Sequence, residues 1–350
     1  MSTINLPGSI YSGAWPAGHV QGIAIDTRRE YMYYSFTTVL VKTDLAGNVI
    51  GTVGGLTGHL GDLDFNDADG RVYGSLEYKA QESFYIAIFD VDKIDRMDMD
   101  AEKDGIMTTV YLPEVVRDFT ADMDGNGVFD GDTHATFDHR YGCSGIDGTA
   151  FGPVFGADPD SPTQLMIAYG IYQHNQRCDN DYQIIVQFDW RTFDQYARPL
   201  NQANPHRSGP DKPDAKYFVF TGNTTFGVQN LEYDAFTRRW FMAVYQGAKP
   251  DYPNFPLYMI DGREAPFTAP VLGQPKAEEG LQLRLMPDGI EGKPGIYGWN
   301  FKYGSTGFIA LDDGYYYISH HGGMPDGRQT CTAHLYRWTG KAPDAFELVK

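Results

Sequence analysis

The stretch GHVQGIAID, residues 18–26, has four counterparts elsewhere in this chain of 350 residues. They are HLGDLDFN at 59–66, GIDGTAFG at 145–152, GVQNLEYD at 227–234 and STGFIALD at 305–312. Each copy starts on polar or glycine-rich residues, continues as a short apolar strand, and in most cases reaches Asp or Asn at a turn. Since self-similar segments are the signature of repeat folds, we predict that each copy opens one sheet unit.

Five such openings predict an all-β fold, a β-propeller with five blades of four antiparallel strands, six blades being the alternative. Asp44, Asp90, Asp189 and Asp261 each follow the expected third strand of a blade, which supports the count of five. We expect one domain over residues 1–350, because each repeat needs only its neighbours to bury its faces. The expected blades cover 18–56, 57–115, 141–200, 217–290 and 301–350, with an insert at 116–140, and residues 4–17 are expected to add an outer strand to the last blade.

The composition agrees with a sheet protein and limits the kinds of partner. The chain has 24 Tyr and 21 Phe, which suit half-buried strands, and 40 Gly and 20 Pro, which suit many turns. The formal charge of −18 argues against binding to nucleic acid or to an anionic membrane surface, both of which need clustered Lys and Arg.

The chain carries no secretory or disulfide signal that we can identify. Three cysteines, Cys143, Cys178 and Cys331, form no disulfide framework, and we expect reduced thiols. The first residues lack a basic and an apolar region of the secretory type, and no apolar run approaches the ~20 residues of a membrane span. We therefore expect a cytoplasmic protein, although a trimmed signal would leave no trace.

A functional site is expected around the central channel. In an antiparallel blade, residues that start the first strand and residues that follow the second strand lie on the same face. The starts contribute His19, Gln21, His59, Asp62, Asp147, Gln229 and Asn230, and the ends contribute Glu77, Lys79, Tyr172, Gln173, His174, Arg177, Tyr245, Gln246, His320 and His321. Loops on a rigid scaffold commonly carry function, so we predict a shared ligand site here.

Histidines suggest a metal in this channel. His19 and His59 occupy the same repeat position in adjacent blades. Together with Glu77 and His320 they would form a mixed imidazole and carboxylate set, suited to Mn, Zn or Fe. The alternative is that each histidine hydrogen-bonds the backbone of a neighbouring blade.

Carboxylates near the same face suggest a second chemistry. A glycosidase needs two carboxyl groups across the scissile bond, and Asp62 with Asp147 are the candidates. Asp147 matches the repeat position of Gln21 and Gln229, whereas Asp62 has a blade-locking hydrogen bond as its alternative role. Glu232 lies inside a strand and is expected to face a neighbouring blade.

Amides, aromatic rings and cations at the channel suit a polyhydroxylated or acidic ligand. Amides pair with hydroxyl groups, aromatic faces stack on sugars, and Lys79 or Arg177 would hold a carboxylate. The residues assigned to ligand binding are Gln21, Asp62, Lys79, Gln173, Arg177, Gln229, Asn230, Gln246 and His321.

A separate calcium loop is predicted in the insert. DMDGNGVFD, residues 122–130, has the spacing of a calcium-binding loop, with ligands from Asp122, Asp124, Asn126, the Val128 carbonyl and Asp130. The twelfth position is Thr133 instead of the usual Glu, and Asp132 is the possible substitute. The expected role is structural, and a plain acidic loop is the alternative.

Over residues 18–350 the pattern resembles that of five-bladed β-propellers, a group that includes glycoside hydrolases and sugar-binding lectins, with histidine-metal propeller lyases as a further analogy. The resemblance is architectural and does not give the function, and from the channel residues we expect a carbohydrate- or sugar-acid-active lyase or hydrolase that takes a small-molecule or oligosaccharide ligand. Its expected catalytic residues are His19, His59, His174, Tyr172, Tyr245 and Asp147. The alternatives are a non-catalytic ligand- or protein-binding propeller and a two-carboxylate glycoside hydrolase.

Overall fold

The computed structural model describes residues 6–26, 28, 30–311 and 313–350. Thr27 and Arg29, predicted in the first turn, and Asp312, predicted to end the fifth repeat, lie outside the described residues. The same holds for the first part of the expected outer strand, residues 4 and 5.

Strands make up most of the regular structure. In chain order they are β1 (Ser9–Trp15), β2 (Val20–Ile25), β3 (Tyr31–Phe36), β4 (Val39–Asp44), β5 (Val49–Gly54), β6 (His59–Asn66), β7 (Arg71–Tyr78), β8 (Ser83–Phe89), β9 (Met99–Asp100), β10 (Met107–Tyr111), β11 (Cys143–Gly152), β12 (Gln164–Ile171), β13 (Tyr182–Phe188), β14 (Arg198–Pro199), β15 (Ala215–Phe220), β16 (Thr225–Asp234), β17 (Arg239–Tyr245), β18 (Leu257–Asp261), β19 (Phe267–Pro270), β20 (Glu279–Leu283), β21 (Ile290–Lys293), β22 (Ile296–Gly298), β23 (Phe308–Ala310), β24 (Tyr315–Gly323), β25 (Gln329–Trp338) and β26 (Phe346–Leu348). The described residues contain one α-helix, α1 (Pro113–Phe119), which begins just before the expected insert and extends into it.

The strands form a five-bladed β-propeller, as the repeats predict. The blades are built on β2-β3-β4-β5, β6-β7-β8-β10, β11-β12-β13-β15, β16-β17-β18 and β23-β24-β25, each antiparallel. The innermost strands β2, β6, β11, β16 and β23 are the five repeated stretches, and each packs against the next around the ring. Both faces of these strands are mostly buried, since consecutive residues point to opposite faces and nearly all of them are buried.

The blade boundaries differ from the expected ones in the third and fourth blades. Residues 215–220, part of which we assigned to blade four, pair with β13 as the outer strand of blade three. The strand β20 then adds to β15 in parallel, so blade four keeps only three paired strands. Tyr217 and Val219 lie almost fully buried against the core, and this burial explains why the segment joins blade three.

The helix α1 is a departure from the all-strand expectation. Pro113 stands at its first turn, where a missing N–H costs nothing, and Val115 and Phe119, four residues apart, are buried on one side. The helix packs beside β8 and β11 and therefore covers the junction of blades two and three.

The N-terminal strand closes the ring. β1 pairs antiparallel with β25 of the last blade, as expected for an outer strand added there. The Cys331 N–H donates to Ser12 Oγ at 3.0 Å, and the Leu335 N–H donates to the Gly8 carbonyl at 2.9 Å. Residues more than 300 positions apart in sequence are thus joined in one sheet, which ties the first and last blades together.

Four of the five innermost strands contain a β-bulge near the same repeat position. The register of pairing shifts at Gln21 in β2, at Gly61 and Asp62 in β6, at Asp147 and Gly148 in β11 and at Gln229 in β16. A bulge inserts an extra residue and redirects its side chain. Here the bulges direct polar side chains towards the centre of the ring, where Gln21, Asp147 and Gln229 line the site and Asp62 bonds backbone groups of other blades.

Candidate functional site

Hydrogen bonds between blades that are not neighbours close the central channel in its middle. Asp62 Oδ2, in blade two, accepts the Leu231 N–H of blade four at 3.0 Å and also the Thr149 N–H at 2.9 Å. The Asn230 side chain of blade four donates to the Gln21 carbonyl of blade one at 2.7 Å. Such bonds can only cross the channel, so the ring has a blind cavity at each end instead of an open pore.

The cavity at the face where the innermost strands begin is the candidate site, which we call the mouth. Its volume is about 710 Å³. The mouth is lined by His19, Gln21, Thr37, Thr38, Thr57, Gly58, His59, Glu77, Tyr78, Lys79, Ala80, Gln81, Ser144, Asp147, Phe226, Gln229 and Tyr245. This size is in the range of ligand-binding pockets, and the lining combines aromatic rings with a few convergent polar groups.

Three side chains converge at the mouth. One ligand atom from each of His59, Glu77 and Asp147 lies within 4.8 Å of the others. His59 and Glu77 face each other across the β6–β7 pair, with His59 Nδ1 and Glu77 Oε1 4.0 Å apart, and Asp147 comes from the bulge of the next blade. His59 Nδ1 and Glu77 Oε2 are buried and have no hydrogen-bond partner among the described residues.

Burial shifts the protonation equilibria of this group. Burial, with repulsion from Asp132, raises the pKa of Glu77 to about 7, while Lys79 partly offsets the increase. Burial and the neighbouring Glu77 raise the pKa of Asp147 well above its ordinary value. Burial, with the positive charges of Lys79 and His19, lowers the pKa of His59 to about 4, so its imidazole is neutral at pH 7.

Lys79 is the cation beside the two carboxylates. Its Nζ lies 3.5 Å from Glu77 Oε2 and 4.0 Å from Asp132 Oδ1. Burial disfavours its charged form, but attraction to Glu77 and Asp132 outweighs this and raises the pKa of Lys79. The ammonium group therefore remains charged and is shared between a buried and a half-exposed carboxylate.

The predicted residues Gln21, Gln229, His19 and Tyr245 also line the mouth. Gln229 donates to Asp147 Oδ2 at 2.9 Å, and Gln21 donates to Thr37 Oγ1 at 3.2 Å. His19 Nδ1 contacts the carbonyl of the next residue, Val20, at 2.7 Å, so its backbone contact lies within its own blade and not in a neighbouring one. Burial raises the pKa of Tyr245 to about 12, so its hydroxyl stays protonated at neutral pH.

Other predicted site residues are brought to different places. His320 stacks on Tyr303 with ring centres 3.6 Å apart and bonds the Tyr336 hydroxyl at 2.8 Å, outside the mouth. It therefore does not join His59 and Glu77 in a metal site. His321 also lies outside the lining, with its ring centre 6.3 Å from that of His19.

The second-strand ends of blades three and four are likewise held by local contacts. The Tyr172 hydroxyl bonds Asp132, and Gln173 accepts from Thr225 Oγ1 at 2.8 Å. His174 packs its ring on Phe137 at 5.0 Å, and Gln246 donates to the Asn254 carbonyl at 2.9 Å. None of these four lines the mouth.

Arg177 is buried in a network of its own. It forms a 2.8 Å ion pair with Asp179 and donates to the carbonyls of Asp138 and His139. These contacts fix the backbone at the end of the insert, so Arg177 has a structural role and does not reach the mouth.

Asp62 and Asn230 have structural roles as well. Both Asp62 oxygens accept backbone N–H groups, from Leu63, Thr149 and Leu231, and only 1% of the residue is exposed. This is the blade-locking role that the sequence left as an alternative. A carboxylate placed this way cannot reach a glycosidic bond, so the two-carboxylate arrangement with Asp147 is wrong.

Phe226 is a mouth residue that sequence reasoning missed as a site residue. Its side chain is 46% exposed at the rim, and its backbone φ is +62°. A bulky residue in the left-handed region is uncommon and strained. The signal available in the sequence was an aromatic residue directly before the glycine that starts the fourth repeat.

The opposite end of the channel holds a second cavity, of about 440 Å³, around Asp64 and Glu232. Asp64 accepts the N–H groups of Phe65 and Phe151, and Glu232 accepts that of Ala310 at 2.8 Å. Glu232 thus faces the neighbouring blade, as predicted. Burial, with repulsion from Asp67, raises the pKa of Asp64 to about 7, and burial, with repulsion from Asp64, raises the pKa of Glu232 well above its ordinary value.

The predicted calcium loop brings together a somewhat different set. Asp122, Asp124 and the buried Asp138 present oxygens within 4.8 Å of one another. Asp130 instead donates its N–H to Asp138 at 3.0 Å, while Val128 is exposed and its N–H donates to the Asn126 side chain at 2.8 Å. Calcium binding by this loop stays a prediction.

The three cysteines are free, with Cys143 and Cys331 buried and Cys178 exposed, in agreement with the expected reduced thiols. Among the described residues, no helix has the length and apolar character needed to cross a membrane.

Comparison with known proteins gives a fold-level likeness. No family model matches the sequence, and no curated protein matches it. Among solved structures, the chain is similar to the β-propeller domain of Cps50 (Swd1) from Myceliophteria thermophila. The likeness has 10% sequence identity and a TM-score of 0.34, and it covers 93% of this chain and 99% of that chain.

The structure corrects the expectation of a carbohydrate- or sugar-acid-active lyase or hydrolase with a small-molecule or oligosaccharide ligand. Four residues expected at its site, Tyr172, His174, Asp62 and Arg177, are engaged in structural contacts away from the mouth. The comparison itself concerns the fold alone.

Proposed function

We propose that the protein is a non-catalytic, protein-binding propeller whose partner docks over the mouth. The observation that carries the proposal is Phe226, a large apolar side chain presented at the rim of a cavity by a strained backbone. Left-handed backbone at a non-glycine residue costs of order 1 kcal/mol and concentrates at functional sites. An exposed aromatic anchor is also the residue type that dominates binding energy at protein interfaces.

The surroundings of Phe226 favour a protein over a smaller ligand. The Thr225 hydroxyl beside it bonds both Gln173 and the Gln246 carbonyl, so the rim is held by links between blades three and four. A polar rim around an apolar anchor is the usual anatomy of a protein interface. The mouth thus offers a rigid docking surface.

Charge complementarity indicates the chemistry of the partner. The formal net charge of −18 creates a negative field that accelerates association with positively charged proteins and repels acidic ones. We therefore expect a partner with a basic surface and an apolar side chain that packs on Phe226. Its association rate should fall steeply as salt is added.

Site-specific photo-cross-linking tests the proposal. A photoreactive amino acid placed at position 226 should cross-link one defined protein in cells, which mass spectrometry identifies. The matched control is position 236, because Phe236 is 58% exposed and follows β16 at the opposite face. Equal cross-linking from both positions would contradict docking at the mouth.

Titration of the identified partner, purified, then gives the energetics. Phe226→Asn keeps a residue that tolerates left-handed backbone and should weaken binding at least about tenfold, which is about 1.4 kcal/mol. Phe236→Asn should leave the affinity unchanged. Unchanged binding by both variants, or an association rate that is independent of salt, would reject the proposal.

A further inference from the structure

We propose that His59, Glu77 and Asp147 form a binding site for a divalent first-row transition-metal ion at the floor of the mouth. The set differs from the one expected from the sequence: Asp147 replaces His320, and His19 contacts its neighbouring backbone instead. The proposal concerns the ion alone and does not depend on a protein partner.

The distances suit such an ion. The three ligand atoms lie within 4.8 Å of one another, and two strands and a bulge hold their backbones in place. Metal–ligand bonds of about 2.1 Å in tetrahedral geometry place ligand atoms about 3.4 Å apart. Side-chain rotations that move the ligand atoms by about an ångström would therefore bring them to bonding distance of one ion without a change of fold.

Two buried atoms at the site lack a hydrogen bond, and this is independent evidence for a ligand. Glu77 is only 5% exposed, and its Oε2 accepts no hydrogen bond among the described residues, with the Lys79 ammonium 3.5 Å away as an ion-pair partner. His59 Nδ1 has no hydrogen-bond partner among these residues either. Leaving buried polar atoms without a hydrogen bond is unfavourable. A metal ion would satisfy both atoms at once.

Neighbouring residues leave space for the carboxylates and orient them. A Cβ at Gly61 would lie 2.6 Å from Asp147 Oδ1, and a Cβ at Gly145 would lie 2.3 Å from Glu77 Oε2. Gln229 donates to Asp147 Oδ2 and leaves Oδ1 available. The Gln229 side chain would thus orient Asp147 as a metal ligand without binding the ion itself.

The donor types select the kind of ion. One imidazole nitrogen with two carboxylates suits Zn²⁺ or Mn²⁺, whereas Mg²⁺ and Ca²⁺ prefer oxygen ligands alone. Three protein ligands leave at least one coordination position, which opens into the 710 Å³ cavity.

Lys79 is the competitor of the ion. Its ammonium group lies 3.5 Å from Glu77, but also 4.0 Å from the half-exposed Asp132. When an ion binds, Lys79 can pair with Asp132 alone, so the two cations exchange at Glu77. Removing the lysine charge should therefore strengthen metal binding.

Calorimetric titration of the chelator-treated full chain with Zn²⁺, Mn²⁺ and Mg²⁺ tests the site. We expect one tight site for Zn²⁺ or Mn²⁺ and at least about tenfold weaker binding of Mg²⁺. Asp147→Asn and His59→Gln should each weaken binding at least about tenfold, whereas Lys79→Met should strengthen it. Circular dichroism and the unfolding midpoint of each variant establish that the fold is retained.

Two controls separate this site from others. A variant with Asp122→Asn and Asp124→Asn removes the carboxylates of the insert loop and should keep the mouth site intact. With bound Co²⁺, the visible spectrum should change in His59→Gln and not in the loop variant. Binding that disappears with the loop variant, absence of binding in the wild type, or no response to Asp147→Asn would overturn the proposal.

Discussion

At the scale of single residues, the carboxylates of this protein differ in role because they differ in hydrogen bonding. Asp62 accepts three backbone N–H groups from three strands, whereas the buried Glu77 Oε2 accepts no hydrogen bond and has only the Lys79 ammonium 3.5 Å away. The first arrangement stabilises a closed channel, and the second leaves a group available for a ligand. Sequence alone places both at strand ends facing the channel and cannot separate these roles.

Replacement of Asp62 tests its structural role. Asp62→Ala removes the acceptor of the Thr149 and Leu231 N–H groups and should lower the free energy of unfolding by about 3 kcal/mol or more. Asp62→Asn keeps one oxygen for both donors and should cost much less. Denaturant unfolding measures the free energy of both variants. If Asp62→Ala and Asp62→Asn lose equal stability, the carboxylate charge and not the hydrogen-bond acceptor stabilises the fold.

The pH dependence of stability tests Glu232. Burial and repulsion from Asp64 raise the pKa of Glu232 well above 4.5, so the folded state binds its proton more tightly than the unfolded state. This group then destabilises the fold progressively as pH rises from about 4.5 through the raised folded-state pKa. Glu232→Gln keeps the acceptor for the Ala310 N–H and should unfold at higher denaturant than the wild type at pH 8, but not at pH 4.5. A difference in denaturant midpoint between Glu232→Gln and the wild type that is equal at pH 4.5 and pH 8 would contradict this.

At the scale of elements, β-bulges decide which side chains enter the channel. The bulges include Gln21, Asp147 and Gln229, which share one variable repeat position, and Asp62, which lies one residue after that position. A bulge changes the direction of one residue without changing the periodicity of its neighbours. The repeat in the sequence was therefore sufficient to align Gln21, Asp147 and Gln229, but the outcome for each residue depended on its contacts.

The closing strand β1 allows a matched pair of substitutions. Ile10 is 1% exposed and Tyr11, on the other face, is 45% exposed. Ile10→Ser should lower the free energy of unfolding by about 3 kcal/mol, because it removes a buried side chain and buries a hydroxyl group. Tyr11→Ser should change it by less than about 0.5 kcal/mol. Similar values for the two variants in denaturant unfolding would argue against closure of the ring by β1.

The insert loop provides a further test at this scale. If the loop binds calcium, millimolar Ca²⁺ should protect residues 122–138 from limited proteolysis, and Asp124→Ala should abolish the protection. The backbone hydrogen bonds of Asp122 and Asp138 order the loop without an ion, so unchanged cleavage with Ca²⁺ would favour the plain acidic loop.

At the scale of the whole molecule, the net charge of −18 affects stability as well as association. Self-repulsion among acidic groups disfavours the compact state, and salt screens it. In the presence of a chelator, raising NaCl from about 10 to about 300 mM should therefore increase the thermal midpoint by a few degrees. An uncharged osmolyte at the same osmolality should not reproduce the dependence on ion concentration, and a midpoint that falls with salt would contradict the argument.

The sequence by itself determined the architecture of this protein. Five related strands, the Asp residues after third strands and the strand-like N-terminus together predicted five blades and their closure, because short-range periodicity and turn chemistry are local properties. The predicted convergence of His59, Glu77, Asp147 and Gln229 near one face followed from the same repeat.

Only the tertiary structure decided which groups remain available for binding. Asp62 and Arg177 form hydrogen bonds to residues 87 and 38 positions away in sequence, which leaves them unavailable to a ligand. His320 stacks on Tyr303 and therefore lies outside the channel mouth. Phe226 became a candidate anchor through its exposure and backbone conformation. Hydrogen-bond partners and burial arise from long-range packing, which a residue pattern does not contain, and they separate a binding group from a structural one.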